Sequence, residues 1–146
     1  MALLYNTDSK KIKWSETRNL FHQHDIDILN NNSIAIFNNN RILTDSDKVF
    51  KHNEILQYNF DTGKFTQMFQ DEMKKNDIRT VNQGLFDIVG NLFFVDETNS
   101  GRVLIFNKEN IIFEYYSKSE DNFPIATSWA YVEDNLNIVD KLRKSF

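Results

Sequence analysis

The sequence predicts an all-β chain, a partial β-propeller of about two and a half to three four-stranded antiparallel blades with one short helix near residues 68–76. Three observations predict it. Short runs of alternating apolar and polar residues are separated by clusters of Asn, Asp or Gly, the composition of hairpins with tight turns. A pattern of four such runs recurs at roughly the forty-to-fifty-residue period of propeller blades. Thirteen Phe and five Tyr supply bulky side chains for packing between sheets.

The elements follow in chain order. Lys11-Ile12-Lys13-Trp14 reads as a lone outer strand left from a preceding blade. The first hairpin runs through His24-Asp25-Ile26-Asp27-Ile28-Leu29, turns at Asn30-Asn31-Asn32 and returns as Ser33-Ile34-Ala35-Ile36-Phe37 into Asn38-Asn39-Asn40. Asn suits such turns because its short polar side chain tolerates left-handed backbone angles. The second hairpin is Glu54 to Phe60, Asp61-Thr62-Gly63, then Lys64 to Phe69. Phe69 and Met73 then stand four apart among polar residues, the spacing of one or two helical turns crossing between blades. Lys48 to Asn53 reads as a polar loop, with His52 solvated in it.

The four runs then repeat as Gln83 to Val89, Asn91 to Val95, Arg102 to Phe106 and Ile111 to Tyr115. Gln23-x-x-x-Asp27-Ile28 matches Gln83-x-x-x-Asp87-Ile88, and Ile55-Leu56 matches Val103-Leu104. A further hairpin begins at Ser128-Trp129 and returns as Leu136 to Val139. The chain therefore divides as a single domain, 1–146, holding an incomplete propeller: a blade remnant over 1–20, a blade over 21–69, a crossing helix over 68–80, a blade over 81–117 and a partial blade over 125–146. Closed propellers need roughly four to eight blades, so edges and faces should be covered by another copy in a homo-oligomer or by a complementary propeller chain.

Composition excludes several classes. A net charge of -4 without a dense Lys/Arg tract lacks the electrostatic footprint of a nucleic-acid or anionic-membrane binder, so neither is expected as a partner. The absence of cysteine removes disulfides, thiolate nucleophiles and Cys-ligated zinc. Asp25 and Asp27 alternate onto one strand face, yet carboxylates there commonly cap backbone amides, and no metal or cofactor is expected. The N-terminal apolar run of four residues is too short for a signal peptide or a membrane span, which places the chain as written in the cytoplasm.

Phe21-His22-Gln23-His24-Asp25-Ile26-Asp27-Ile28-Leu29, followed by Ile36-Phe37-Asn38-Asn39-Asn40, resembles the arylsulfotransferase family. The resemblance continues through Tyr58 to Gly63, Asp77 to Thr80, Asn82-Gln83-Gly84, Glu97 to Arg102 and Ser128-Trp129, and corresponds to the later blades of the family's propeller. It implies transfer of a sulfuryl group from an aryl sulfate to a phenol, without a nucleotide donor, through a sulfated histidine in the central funnel. It also implies a relationship to proteins that are often exported.

Such chemistry needs a neutral imidazole whose second nitrogen is held by an acceptor, and fixed donors around the sulfuryl oxygens. His24 is the candidate nucleophile and Asp25 its orienting acceptor. His22, Asn38, Asn99 and Arg102 are the candidate substrate-binding donors. Each has a plainer account: a histidine bonded to a neighbouring loop, a turn-forming Asn, an Arg102–Glu97 ion pair across a turn. Trp14 and Trp129 are either an aryl-binding wall or core. The alternative to catalysis is a non-catalytic partial propeller that serves as a self-association or protein-interaction module.

Overall fold

The computed structural model describes residues 1–43, 48–127, 130 and 132. The expected partial blade over 125–146, with Trp129, lies largely outside the described residues. The described chain is mostly β, as predicted, with one short α-helix among the described residues. It forms two compact units, Met1–Gly84 and Leu85–Phe146.

The first unit opens with strands β1 (Ala2–Asn6) and β2 (Lys11–Glu16), paired antiparallel with Ala2 opposite Glu16. This corrects the reading of Lys11–Trp14 as a lone strand. The apolar run at the N-terminus is long enough to be a strand, and the turn closes where the Asn6 side chain accepts from the Ser9 amide at 2.7 Å and Lys10 adopts φ 52°.

Strands β3 (Gln23–Asn30) and β4 (Ser33–Asn38) form the first predicted hairpin. Arg41–Leu43 (β5) and Lys48–Phe50 (β6) pair as a small hairpin where a polar loop was expected. Its strands are three residues each, too short for an alternating signal to register. Strands β7 (Glu54–Asn59) and β8 (Lys64–Met68) complete a four-stranded antiparallel sheet of order β3-β4-β7-β8. The helix α1 (Gln70–Lys75) falls inside the predicted window and buries Met73.

Burial of the consecutive residues Ala35, Ile36 and Phe37 encloses both faces of β4. Ile36, Phe37 and Ile55 are fully enclosed, and Ala2, Leu20, Ile36 and Leu56 form a cluster flanked by Trp14, Ile34 and Phe65. Trp14 lies 4.7 Å from the Tyr58 ring and 5.3 Å from Phe60, so it is packing material for the first unit.

The second unit repeats the topology. Strands β9 (Leu85–Val89), β10 (Leu92–Glu97), β11 (Arg102–Phe106) and β12 (Ile111–Tyr116) form a four-stranded antiparallel sheet in which each strand pairs with the next in sequence, and a single 3₁₀ turn at Thr98–Ser100 joins β10 to β11. Phe93, Val95, Leu104 and Phe106 are fully buried, with Phe93 and Phe106 edge-to-face at 5.1 Å. Each sheet is thus an up-and-down four-stranded meander, the blade unit of a propeller. No helix among the described residues is long and apolar enough to cross a membrane.

Candidate functional site

The histidine stretch enters β3 through a strained loop. Asn19 and His22 both hold left-handed backbone angles, φ 61° and 55°. The side chain of Asn38, at the end of β4 and fully buried, holds this loop. Its Oδ1 accepts from the Phe21 amide at 2.7 Å, while its Nδ2 donates to the Asn19 carbonyl at 3.1 Å and to Glu54 Oε2 at 3.3 Å. Asn38 therefore spends its hydrogen-bonding capacity inside the fold, where it fixes the approach to His22 and His24.

Between Gln23, opposite Asn38, and Ile26, opposite Ile36, β3 carries one residue more than β4. His24 and Asp25 together stand against Phe37, which is a β-bulge at the strand entrance. A bulge changes the direction of the side chains at the point of insertion, so the two residues are not held to the strict alternation of the rest of β3. His24 is exposed, as is His22, and neither ring has a hydrogen-bond partner among the described residues. Asp25 is half-buried, and its Oδ1 accepts from the Ile26 amide at 3.0 Å. Beside the entering loop, Asn19, Phe21, Lys51, Glu54, Phe65 and Gln67 line an open cavity of about 320 Å³.

The neighbouring asparagines form a buried network where the sequence suggests a turn at Asn39 and a polar loop ending at Asn53. Asn53, fully buried, donates from Nδ2 to the carbonyls of Asn39 and Thr80, both at 2.9 Å, and accepts from the Thr80 amide at 2.6 Å. Asn39 donates to the same Thr80 carbonyl at 2.9 Å and to that of Gln83 at 3.2 Å. Beside the network, His52 is not simply solvated: its Nε2 lies 2.9 Å from Asp77 Oδ1 and 2.9 Å from Arg79 Nη2. The hydrogen bond from Arg79, aided by His52, holds the Asp77 carboxyl below its ordinary range against a small burial penalty.

Asn99 and Arg102 belong to the second unit. Asn99 sits exposed in the 3₁₀ turn. Arg102 faces Glu97 across the β10–β11 ladder, and its Nε donates to Glu97 Oε2 in a close ion pair whose carboxylate is buried. Its Nη1 stands 3.7 Å from Glu114 Oε1, and its guanidinium lies over the Tyr116 ring. Burial works against the charge on Arg102, and the Glu97 carboxylate and Tyr116 hydroxyl outweigh it and raise the pKa. The ion-pair reading of Arg102 is therefore realised in the structure.

Asp96 was not singled out from the sequence. It is fully buried beside this pair, its Oδ1 accepts from the Thr127 hydroxyl, and its Oδ2 has no partner among the described residues. Burial pushes the carboxyl up, against the hydrogen bonds from Thr127 and Thr98. The signal was present in the repeat: Phe37 pairs with Ile55 where Asp96 pairs with Val103, so an acid occupies the position of a core Phe. Among the described residues no three His, Cys, Asp or Glu side chains gather as metal ligands.

The arylsulfotransferase (ASST) family profile matches residues 1–118, which takes in both sheets and the His22–Asp25 entrance. The chain belongs to the arylsulfotransferase family. No curated protein sequence and no solved structure gives a significant match. Within this arylsulfotransferase-family chain, four of the six candidates, His22, His24, Asp25 and Asn38, sit around one strand entrance in the first unit. Asn99 and Arg102 flank one turn in the second.

Proposed function

We propose that the chain performs the sulfuryl-transfer chemistry of its family at the entrance of β3, with His24 as the group that carries the sulfuryl. The observation that carries this reading is the bulge that sets the exposed His24 beside the half-buried Asp25 in a chain of this family. A neutral His24 nitrogen attacks the sulfur of an aryl sulfate, the N–S bond forms, and the S–O bond to the ring breaks with the electron pair leaving on the phenolate. A phenol oxygen then attacks the same sulfur, N–S breaks, the imidazole recovers its lone pair, and the acceptor's proton passes to solvent. Asp25 is the acceptor proposed to orient the ring, and His22, two residues earlier in the same entering loop, is a further proposed donor for the sulfuryl oxygens. Asn38 acts here as a positioning residue, through the loop that it anchors. Asn99 and Arg102 stay as proposed donors in the second unit, Arg102 with its charge already shared with Glu97.

The reading is tested by following release of nitrophenolate from 4-nitrophenyl sulfate with a phenol acceptor present. Turnover that His24→Ala abolishes, with the circular dichroism spectrum unchanged, supports it; turnover that survives His24→Ala overturns it. A second reading, a self-association module, is favoured by a different observation, the apolar outer edge of the second sheet.

A further inference from the structure

The two outer strands occupy the same place in their sheets but are built from opposite materials. β8 reads Lys-Phe-Thr-Gln-Met and exposes Lys64, Thr66 and Gln67, the polar dressing that keeps an edge from pairing. β12 reads Ile-Ile-Phe-Glu-Tyr-Tyr and is exposed along its whole length, with Ile112 at 56%, Phe113 at 49% and Tyr115 at 52%. It has high β-propensity, no Pro or Gly and one charge, the composition of a strand that pairs with another strand. One of its edges is paired with β11, and among the described residues no strand pairs with the other.

We infer that β12 is a homodimerisation edge, pairing antiparallel with β12 of a second copy about a two-fold axis at Tyr115. The inference deepens the self-association reading, on which it rests, and does not depend on sulfuryl transfer. Backbone direction selects the axis. Ser117 donates its N–H to Gly101, toward β11, so Tyr115 and Phe113 also direct their backbone groups inward, and Glu114 and Tyr116 direct theirs out. Outward residues must meet outward residues, which sets the axis on a residue and not between two; an axis on Tyr116 would match only Tyr116 itself with the partner's strand, which leaves Glu114, Tyr115 or Phe113. An axis on Glu114 would set two carboxylates directly opposite each other, which is unfavourable. An axis on Phe113 would run the pairing through the irregularity that the strand carries near Ile112.

The Tyr115 axis sets the two Tyr115 rings against each other in a close, non-hydrogen-bonded pair and Glu114 opposite Tyr116 of the other copy. Lys118, whose Nζ lies 5.2 Å from the centre of its own Tyr116 ring, then falls diagonal to the other copy's Glu114, a complementary charge at each end of the pairing. Glu114 already accepts from the Tyr116 hydroxyl at 3.0 Å and stands 3.7 Å from Arg102, so it enters the interface compensated. The segment 123–125 leaves the edge clear, because Ile125 bonds to the Ser117 carbonyl on the side that faces β11.

Light scattering on the full chain over a dilution series tests this, together with Tyr115→Lys and the control Phe123→Lys at an exposed position off the strand. The expected result is a dimer whose dissociation constant rises roughly tenfold or more in Tyr115→Lys and is unmoved in Phe123→Lys. Since the chain has no cysteine, Tyr115→Cys should also form a disulfide-linked dimer under mild oxidation, whereas Ile28→Cys should not. A chain that stays monomeric at every concentration overturns both this inference and the association reading. A dimer that Tyr115→Lys leaves intact and Tyr115→Cys does not cross-link overturns the β12 edge alone.

Discussion

The two four-stranded sheets solve one problem in two ways. At the same cross-strand position the first sheet pairs Asn38 with Glu54 and the second pairs Glu97 with Arg102. One step inward Phe37 corresponds to Asp96, and one step outward Asn53 corresponds to Gly101. In the first unit neutral amides hold the loop before β3 and the segment around Thr80. In the second, an ion pair, a buried acid and the hydroxyl of Thr127 do the equivalent work. A repeated scaffold keeps its strands and core while the polar ends of its strands are free to differ, and that is where a site is placed.

This contrast is most directly broken at its charged end. Arg102→Ala leaves the buried Glu97 carboxylate without its partner and should cost about 4 kcal/mol, far more than loss of an exposed pair. Amide hydrogen exchange checks this: protection should fall across Leu85–Tyr116, with a smaller change across Gln23–Met68. The glycines of the second unit sharpen the point. Gly90 and Gly101 share a left-handed angle, φ 61° and 62°, but a Cβ on Gly90 meets nothing while one on Gly101 runs into the carbonyl oxygens of Ile125 and Ser117. Gly90→Ala should cost about 1 kcal/mol and Gly101→Ala about 3 kcal/mol, read from urea midpoints.

In the first unit Asn53→Ala strips the Thr80 N–H of its acceptor and should cost about 2 kcal/mol by the same measurement. The smallest effect is a difference of sign with pH. Hydrogen bonds from Arg18 hold Glu16, in the first unit, down to about 2 from an ordinary 4.5, so its contribution is present above 4.5 and is lost as pH falls through about 2. Asp96 is raised from an ordinary 3.8, so its contribution is full below 3.8 and is lost as pH rises through the raised value. Asp96→Asn should therefore flatten the decline in protection of β10 as pH rises above 3.8 while leaving β2 unchanged.

Much of this fold was legible because hairpin strands carry their pattern locally. The run at 24–29 alternates, those at 54–60 and 102–106 are short and rich in apolar residues, and Asn, Asp and Gly mark their turns. The β1 and β5–β6 strands were missed since a run of three to five residues beside polar neighbours resembles a loop. The site was legible in residue type but not in partnership. Asn38 and Arg102 are the kinds of donor that a sulfuryl group needs, but cross-strand register gives them to Glu54 and Glu97, and register is not visible in a single strand. Asp96 was hidden for the converse reason: within Leu92–Glu97 it reads as the polar end of a strand, and only its pairing with Val103 shows it to be enclosed.

Uptake of the sulfuryl group by His24 can be read on the chain itself. Intact-mass spectrometry of the chain after incubation with 4-nitrophenyl sulfate, quenched at alkaline pH and followed by peptide mapping, tests it most directly. The account predicts one added sulfuryl group on the peptide that contains His24, discharged by a phenol and absent in His24→Asn. No adduct, or an adduct on another residue that persists in His24→Asn, would contradict it.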